Sequence, residues 1–132
     1  MKSLAAAVLA LVAVSTGCAP AGPAGPLTPL VVGAEQHLTI EWRPPGSEQP
    51  TVVWGYVSNH SPYTFDRVRV LVDALGADGQ ILSQRVVWAL GTLGSWGRNY
   101  FEAPMVAAPA YRVRVFSYDR IETNGHRRWP FP

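Results

Sequence analysis

Three histidines, nine carboxylates, one thiol and a surplus of aromatic rings are the groups in this chain that could carry chemistry. His37, His60 and His126 lie in separate segments with no Cys, Asp or Glu at ligand spacing beside them. They give no support to a zinc site, which needs converging nitrogen and sulfur ligands. Asp66, Asp73 and Asp78 lack the oxygen-rich loop spacing that wraps a calcium ion. No serine, cysteine or aspartate has the flanking context of a nucleophile beside its base, and no carboxylate pair is set for acid–base work. Gly91 to Gly97, GTLGSWG, has no strand-then-helix context and reads as a turn-rich connection, not a phosphate cradle. The sequence therefore predicts no catalytic residue, no metal ligand and no cofactor: a protein that is not an enzyme.

The rings are more informative. Five tryptophans in 132 residues, together with Tyr63, Tyr100 and Tyr118, exceed what a small core consumes, and rings left on a surface stack against sugars or peptides. Trp96, between Ser95 and Gly97 in a loop, Tyr63 at a turn, and Trp88 are the predicted ligand contacts. Trp42 and Trp54 are expected in the core. Asn59-His60-Ser61 fits a glycosylation acceptor by letter, but Pro62 follows and the stretch reads as a turn.

Cys18 is the only cysteine. It ends a leader in which Lys2 precedes an apolar run, Leu4 to Val14, that is too short for a permanent span and reads as a secretion signal. The closing Ser15-Thr16-Gly17-Cys18 resembles the lipobox of bacterial lipoproteins, which implies lipidation of the Cys18 thiol. The rival is ordinary signal-peptidase cleavage near Ala13-Val14-Ser15, but that leaves an exported protein with one unpaired, oxidisable thiol. Ala19 after the cysteine, where Asp would stand in the other class, is similar to lipoproteins sorted to the outer membrane. The expected location is thus the periplasmic face of that membrane, with the membrane itself as one partner and an envelope protein or glycan as another. Without Lys2, ten arginines face nine carboxylates, a balance that excludes a nucleic-acid partner.

The elements that must position these groups are strands. Pro and Gly number 12 each and hydrophobic residues reach 48%, so the chain can fill a core but is interrupted too often for long helices. After the leader (1–17) and an uncharged Pro/Gly/Ala-rich tether (18–34), whose Leu30 to Val32 could alternatively form an edge strand, comes a single domain (35–120) and a polar tail (121–132), expected to be loosely held. Leu38, Ile40 and Trp42 alternate with Thr39, Glu41 and Arg43 in a first strand stopped by Pro44-Pro45-Gly46. A second, Thr51 to Asn59, is apolar on both faces and so central or covered. A third, about Phe65 to Leu75, sets Val68, Val70 and Val72 inward and Arg67, Arg69, Leu71 and Asp73 on a wetted side. Asp78-Gly79 makes the hairpin to a fourth, Ile81 to Leu90. Arg98 to Glu102 and a run around Tyr111, Val113 and Val115 complete the set. If the third and last strands adjoin, Arg67, Arg69, Arg112 and Arg114 form a basic ladder that meets anionic lipid or polymer, or pairs with acids across strands.

Val53, Gly55, Val57 and Asn59, the long strand Val68 to Gly79 with its acidic-glycine hairpin, the stretch Leu90 to Phe101 and the closing strand Tyr111 to Ser117 are together similar to the FxLYD-type domains of secreted proteins, related in shape to LEA14-like domains. That resemblance implies an immunoglobulin-like antiparallel β-sandwich of six to seven strands, outside the cytoplasm, with no common catalytic residues. The function expected is a lipid-anchored envelope protein with a binding or structural role. The alternatives are a carbohydrate- or peptide-binding module using loop aromatics and, third, an envelope hydrolase.

Overall fold

Alternation along a strand decides which side chains share a face, and pairing decides which face is covered. In the computed structural model, which describes residues 25–122, the fold is all-β. Its strands are β1 (Leu38–Arg43), β2 (Val52–Asn59), β3 (Thr64–Leu75), β4 (Ile81–Trp88), β5 (Arg98–Pro104) and β6 (Ala110–Ile121). They form two antiparallel three-stranded sheets, ordered β1-β2-β5 and β4-β3-β6, stacked as a sandwich with β5 beside β4 and β1 beside β6. The central position expected of the second strand is what β2 occupies.

Leu38 and the half-buried Ile40 and Trp42 of β1, Val53 and Val57 of β2, and Phe101 and Ala103 of β5 meet Val68, Val70, Val72 and Ala74 of β3 and Val115 of β6 in one core. The β3–β4 hairpin turns at Gly79, whose φ of 84° is the left-handed conformation that glycine takes without a Cβ penalty. At the same end of the sandwich Tyr111 pins the β5–β6 connection: its hydroxyl accepts from the Ala108 N–H (3.0 Å) and donates to the Val106 carbonyl (2.7 Å).

The alternative of an edge strand at Leu30 to Val32 is not realised; the chain bends there and enters a short 3-10 helix, Ala34–Gln36. One detail departs from the sequence expectation: the outer side of β3 is not uniformly wetted, because Leu71 and Asp73 are fully buried on it. The basic ladder supplies the reason. β3 and β6 do adjoin, and Arg112 and Arg114 close over Asp73: Arg112 Nε and Arg114 Nη2 both donate to Asp73 Oδ2 at 2.8 Å. Gln84 of β4 donates to Asp73 Oδ1 (2.8 Å) and also clasps the backbone of Leu27, accepting from its N–H (2.7 Å) and donating to its carbonyl (3.0 Å). The Leu30 N–H then reaches the Phe116 carbonyl of β6 (2.8 Å). The last part of the Pro/Gly-rich segment is thus seated across the outer face of the β4-β3-β6 sheet.

A bulge rephases the start of β3. Between the pairs Asp66–Asp119 and Arg69–Ser117 it has one residue more than β6, with Arg67 at φ 47°. Phe65 and Val68 consequently both face the core while Arg67 stays exposed and pairs with Asp119.

Candidate functional site

Because Val53, Gly55 and Val57 point inward, strand geometry sends Trp54, Tyr56 and Ser58 outward. The register of the neighbouring strands sets them in a lattice. Arg43, Trp54 and Glu102 form one row, Glu41, Tyr56 and Tyr100 the next, and Thr39, Ser58 and Arg98 the third. The middle is aromatic and the rim carries Arg43, Glu41, Glu102 and Arg98. Trp54 and Tyr100 are 6.3 Å apart by ring centroid and Tyr56 and Tyr100 5.6 Å, edge to face. The Arg98 guanidinium lies 4.0 Å over Tyr56, which leaves the half-buried Trp54 and Tyr100 as the rings a ligand would meet.

The rim can donate and accept. Tyr100 donates its hydroxyl proton to Glu102 Oε2 (3.0 Å); burial first, and then that hydrogen bond, raise the hydroxyl above its ordinary pKa, so it remains a neutral donor. Glu41 and Arg43 are exposed and enter no ion pair among the described residues. Next to the rings lies an open hollow of about 400 Å³, lined by Glu41, Arg43, Trp54, Tyr56 and Arg98 among others. A larger one, about 520 Å³, lies at the Tyr111 end, but prolines, alanines and two rings line it and no charged group does. Stacking together with flexible polar heads is the chemistry of binding a polyhydroxylated ring.

The structure places the predicted contacts elsewhere. Trp96 is 70% exposed in the β4–β5 connection at φ 59°, and Tyr63 stands in the β2–β3 corner against His37 (5.5 Å) and under Arg120 (4.9 Å). Trp88 ends β4 on the other sheet, its ring 5.5 Å from the Arg69 guanidinium. No ring contact among the described residues joins these three to one another. Trp54, expected in the core, is outside it. The alternation Arg98, Tyr100, Glu102 is the sequence signal that could have found this face, since a ring between two like-facing charges belongs to a solvent-facing side. Cys18 and His126 lie outside the described residues.

Asn59 ties the corner of Tyr63 to the loop of Trp96. It is 1% exposed; its Nδ2 donates to the carbonyls of Tyr63 (2.7 Å) and Gly94 (2.9 Å), and its Oδ1 accepts from Ser61 N–H (3.0 Å) and Oγ (2.7 Å). All four side-chain bonds are used, so Asn59 serves as a bracket and has no amide free for a glycan. Asn59→Ala is expected to cost about 2–3 kcal/mol in a urea titration, since it leaves buried carbonyls and the Ser61 N–H unpaired.

The ionisable groups that could serve catalysis are dispersed. Asp66 accepts from Thr92 Oγ1, Asp78 caps the Gln80 N–H in the hairpin, and His60 bonds Thr39 Oγ1. Among the described residues no three His, Cys, Asp or Glu side chains gather as metal ligands, and no helix is long and apolar enough to cross a membrane. No known protein family, curated protein or solved structure matches the chain.

Proposed function

We propose that this protein is an exported, lipid-anchored β-sandwich of the bacterial cell envelope that binds envelope polysaccharide without converting it, on the outer face of the β1-β2-β5 sheet. The aromatic lattice with its charged rim is the observation that carries this reading. A saccharide strand would lie along β2, one ring stacked on Trp54 or Tyr100, with its hydroxyls bonded by Glu41, Arg43 and Glu102. The anchor is lipidated Cys18, and the periplasmic face of the outer membrane is its location. The resemblance of Val53, Gly55, Val57 and Asn59 to FxLYD-type domains accords with an immunoglobulin-like binding module, and fold likeness supplies no activity of its own.

The competing reading uses the loop rings Trp96, Tyr63 and Trp88. Titration of intrinsic fluorescence with peptidoglycan fragments separates the two. Trp54→Ala and Tyr100→Ala are each expected to weaken binding about tenfold and Trp96→Ala to leave it within about twofold. The reverse pattern selects the loop, and no response of the wild type to any envelope glycan removes the proposal.

A further inference from the structure

We infer that the outer face of the β4-β3-β6 sheet, with Leu27 to Leu30 laid across it, rests against the anionic bilayer that holds Cys18, so that the aromatic face of the other sheet looks away from the membrane. This rests on the reading of Cys18 as the lipidated residue. The first argument is reach. Cys18 precedes Gly25 by seven residues, a leash of at most about 24 Å when fully extended. It leads onto the sheet at Leu27, where Gln84 clasps the backbone from both sides. The long strand β3 runs about 40 Å and the two sheets stand about 10 Å apart before their outer side chains are counted. A leash of that length reaches the bilayer most directly with the β4-β3-β6 face turned toward it, since the β1-β2-β5 face lies on the far side of the sandwich.

The second argument is charge. On the β4-β3-β6 face, Arg67, Arg69, Arg112 and Arg114 stand against Asp66, Asp73 and Asp119, an excess of one cation. On the opposite face Arg43 and Arg98 are balanced by Glu41 and Glu102. The arginine excess therefore lies on the side from which the leash departs, where it meets the negative surface potential of anionic lipid. The third argument is the side chain that sits there. Trp88 is 54% exposed at the rim of an open hollow of about 380 Å³ shared with Arg67, Arg69, Ser117 and Asp119. An indole beside guanidinium groups suits the headgroup level, with the ring toward the acyl boundary and the arginines on phosphate. Leu27 and Leu30, 44% and 67% exposed on the same side, add apolar surface.

The test uses the full acylated chain in vesicles of phosphatidylethanolamine with phosphatidylglycerol. Nitroxide labels are placed singly at Trp88→Cys and Glu41→Cys, and access to an aqueous nickel chelate is compared with access to oxygen. The label at 88 is expected to be shielded from the chelate about fivefold more than the label at 41, and this contrast is expected to shrink in phosphatidylcholine vesicles. Equal chelate access at both positions, or greater shielding at 41, overturns the orientation. An equal contrast in the two kinds of vesicle overturns the role given to the arginines. Intact mass of the mature chain separates premise from inference: an unmodified Cys18 removes both, whereas an acylated Cys18 with equally accessible labels removes only the orientation.

Discussion

Gly55→Ala is expected to lower the stability of the folded protein by about 3–4 kcal/mol, read as a shift of the urea midpoint followed by tryptophan fluorescence. Gly55 lies in the middle of β2, opposite Trp42 of β1 and Phe101 of β5. A Cβ built there falls 2.1 Å from the Glu41 carbonyl oxygen, 2.7 Å from Trp42 Cα and 2.9 Å from Trp42 Cβ. Two of these three neighbours are backbone, so no rotamer change relieves the overlap. The strand itself has to move, and β1 with it. Because β1 supplies Glu41 and Arg43 to the candidate site, the substitution should also disorder one side of the aromatic lattice. Gly46→Ala is the matched control. A Cβ at Gly46 meets nothing within 4 Å, and the change should stay within about 0.5 kcal/mol. If the two variants unfold at the same urea concentration, the close approach of β1 and β2 is not what fixes glycine at 55.

The same residue shows what could be read from the sequence and what could not. Period-2 alternation located β1, β2, β3 and β6 within a few residues, and the Asp78-Gly79 hairpin and the glycine-rich connection bounded β4 and β5, because all these signals are local. Alternation sorts side chains into two faces but does not say which face is covered. Val53, Gly55 and Val57 include a residue with no side chain, while Trp54 and Tyr56 are large and apolar, so hydrophobicity alone pointed the tryptophan inward. The pairing of β2 with β1 and β5 decides otherwise, by setting Trp54 beside Arg43 and Glu102. On β3 the failure is the converse. Arg67 and Arg69 suggested a wetted side, and the groups that cover its centre are remote in sequence: Arg112 and Arg114 lie 39 and 41 residues from Asp73, and Leu27 lies 57 from Gln84. No window of ten or so residues contains such a closure. Asn59 was legible as part of a turn, but its burial depends on Gly94, 35 residues on.

Asp73→Ala is expected to cost about 3 kcal/mol and to release the segment that crosses the sheet. The carboxylate is fully buried and receives Arg112 through both Nε and Nη2, Arg114 through Nη2 and Gln84 through Nε2, each at 2.8 Å. Breaking a buried ion pair by removing one partner typically costs about 3–5 kcal/mol, most of it from the charge left behind. Here the stranded charges are cations, and the side chains of Arg112 and Arg114 are already 46% and 31% exposed, so water can recover part of their solvation. Arg114 Nε is moreover buried without a partner even in the intact protein, which marks the cluster as imperfectly satisfied. Both facts set the expectation at the lower end of the range. Gln84→Ala should cost less, about 1 kcal/mol, since a neutral hydrogen bond is lost. The two should nonetheless agree in one local readout. With Asp73 absent, Gln84 loses the acceptor that holds its amide toward Leu27; with Gln84 absent, the clasp itself is gone. Amide exchange at Leu27 should therefore accelerate in both variants under conditions where the core strands stay protected, and a double-mutant cycle should show coupling of about 1 kcal/mol between positions 73 and 84. Unchanged protection of Leu27 in Asp73→Ala would mean that the segment is held by something other than this chain of bonds, and the argument for where the leash leaves the domain would lose its anchor point.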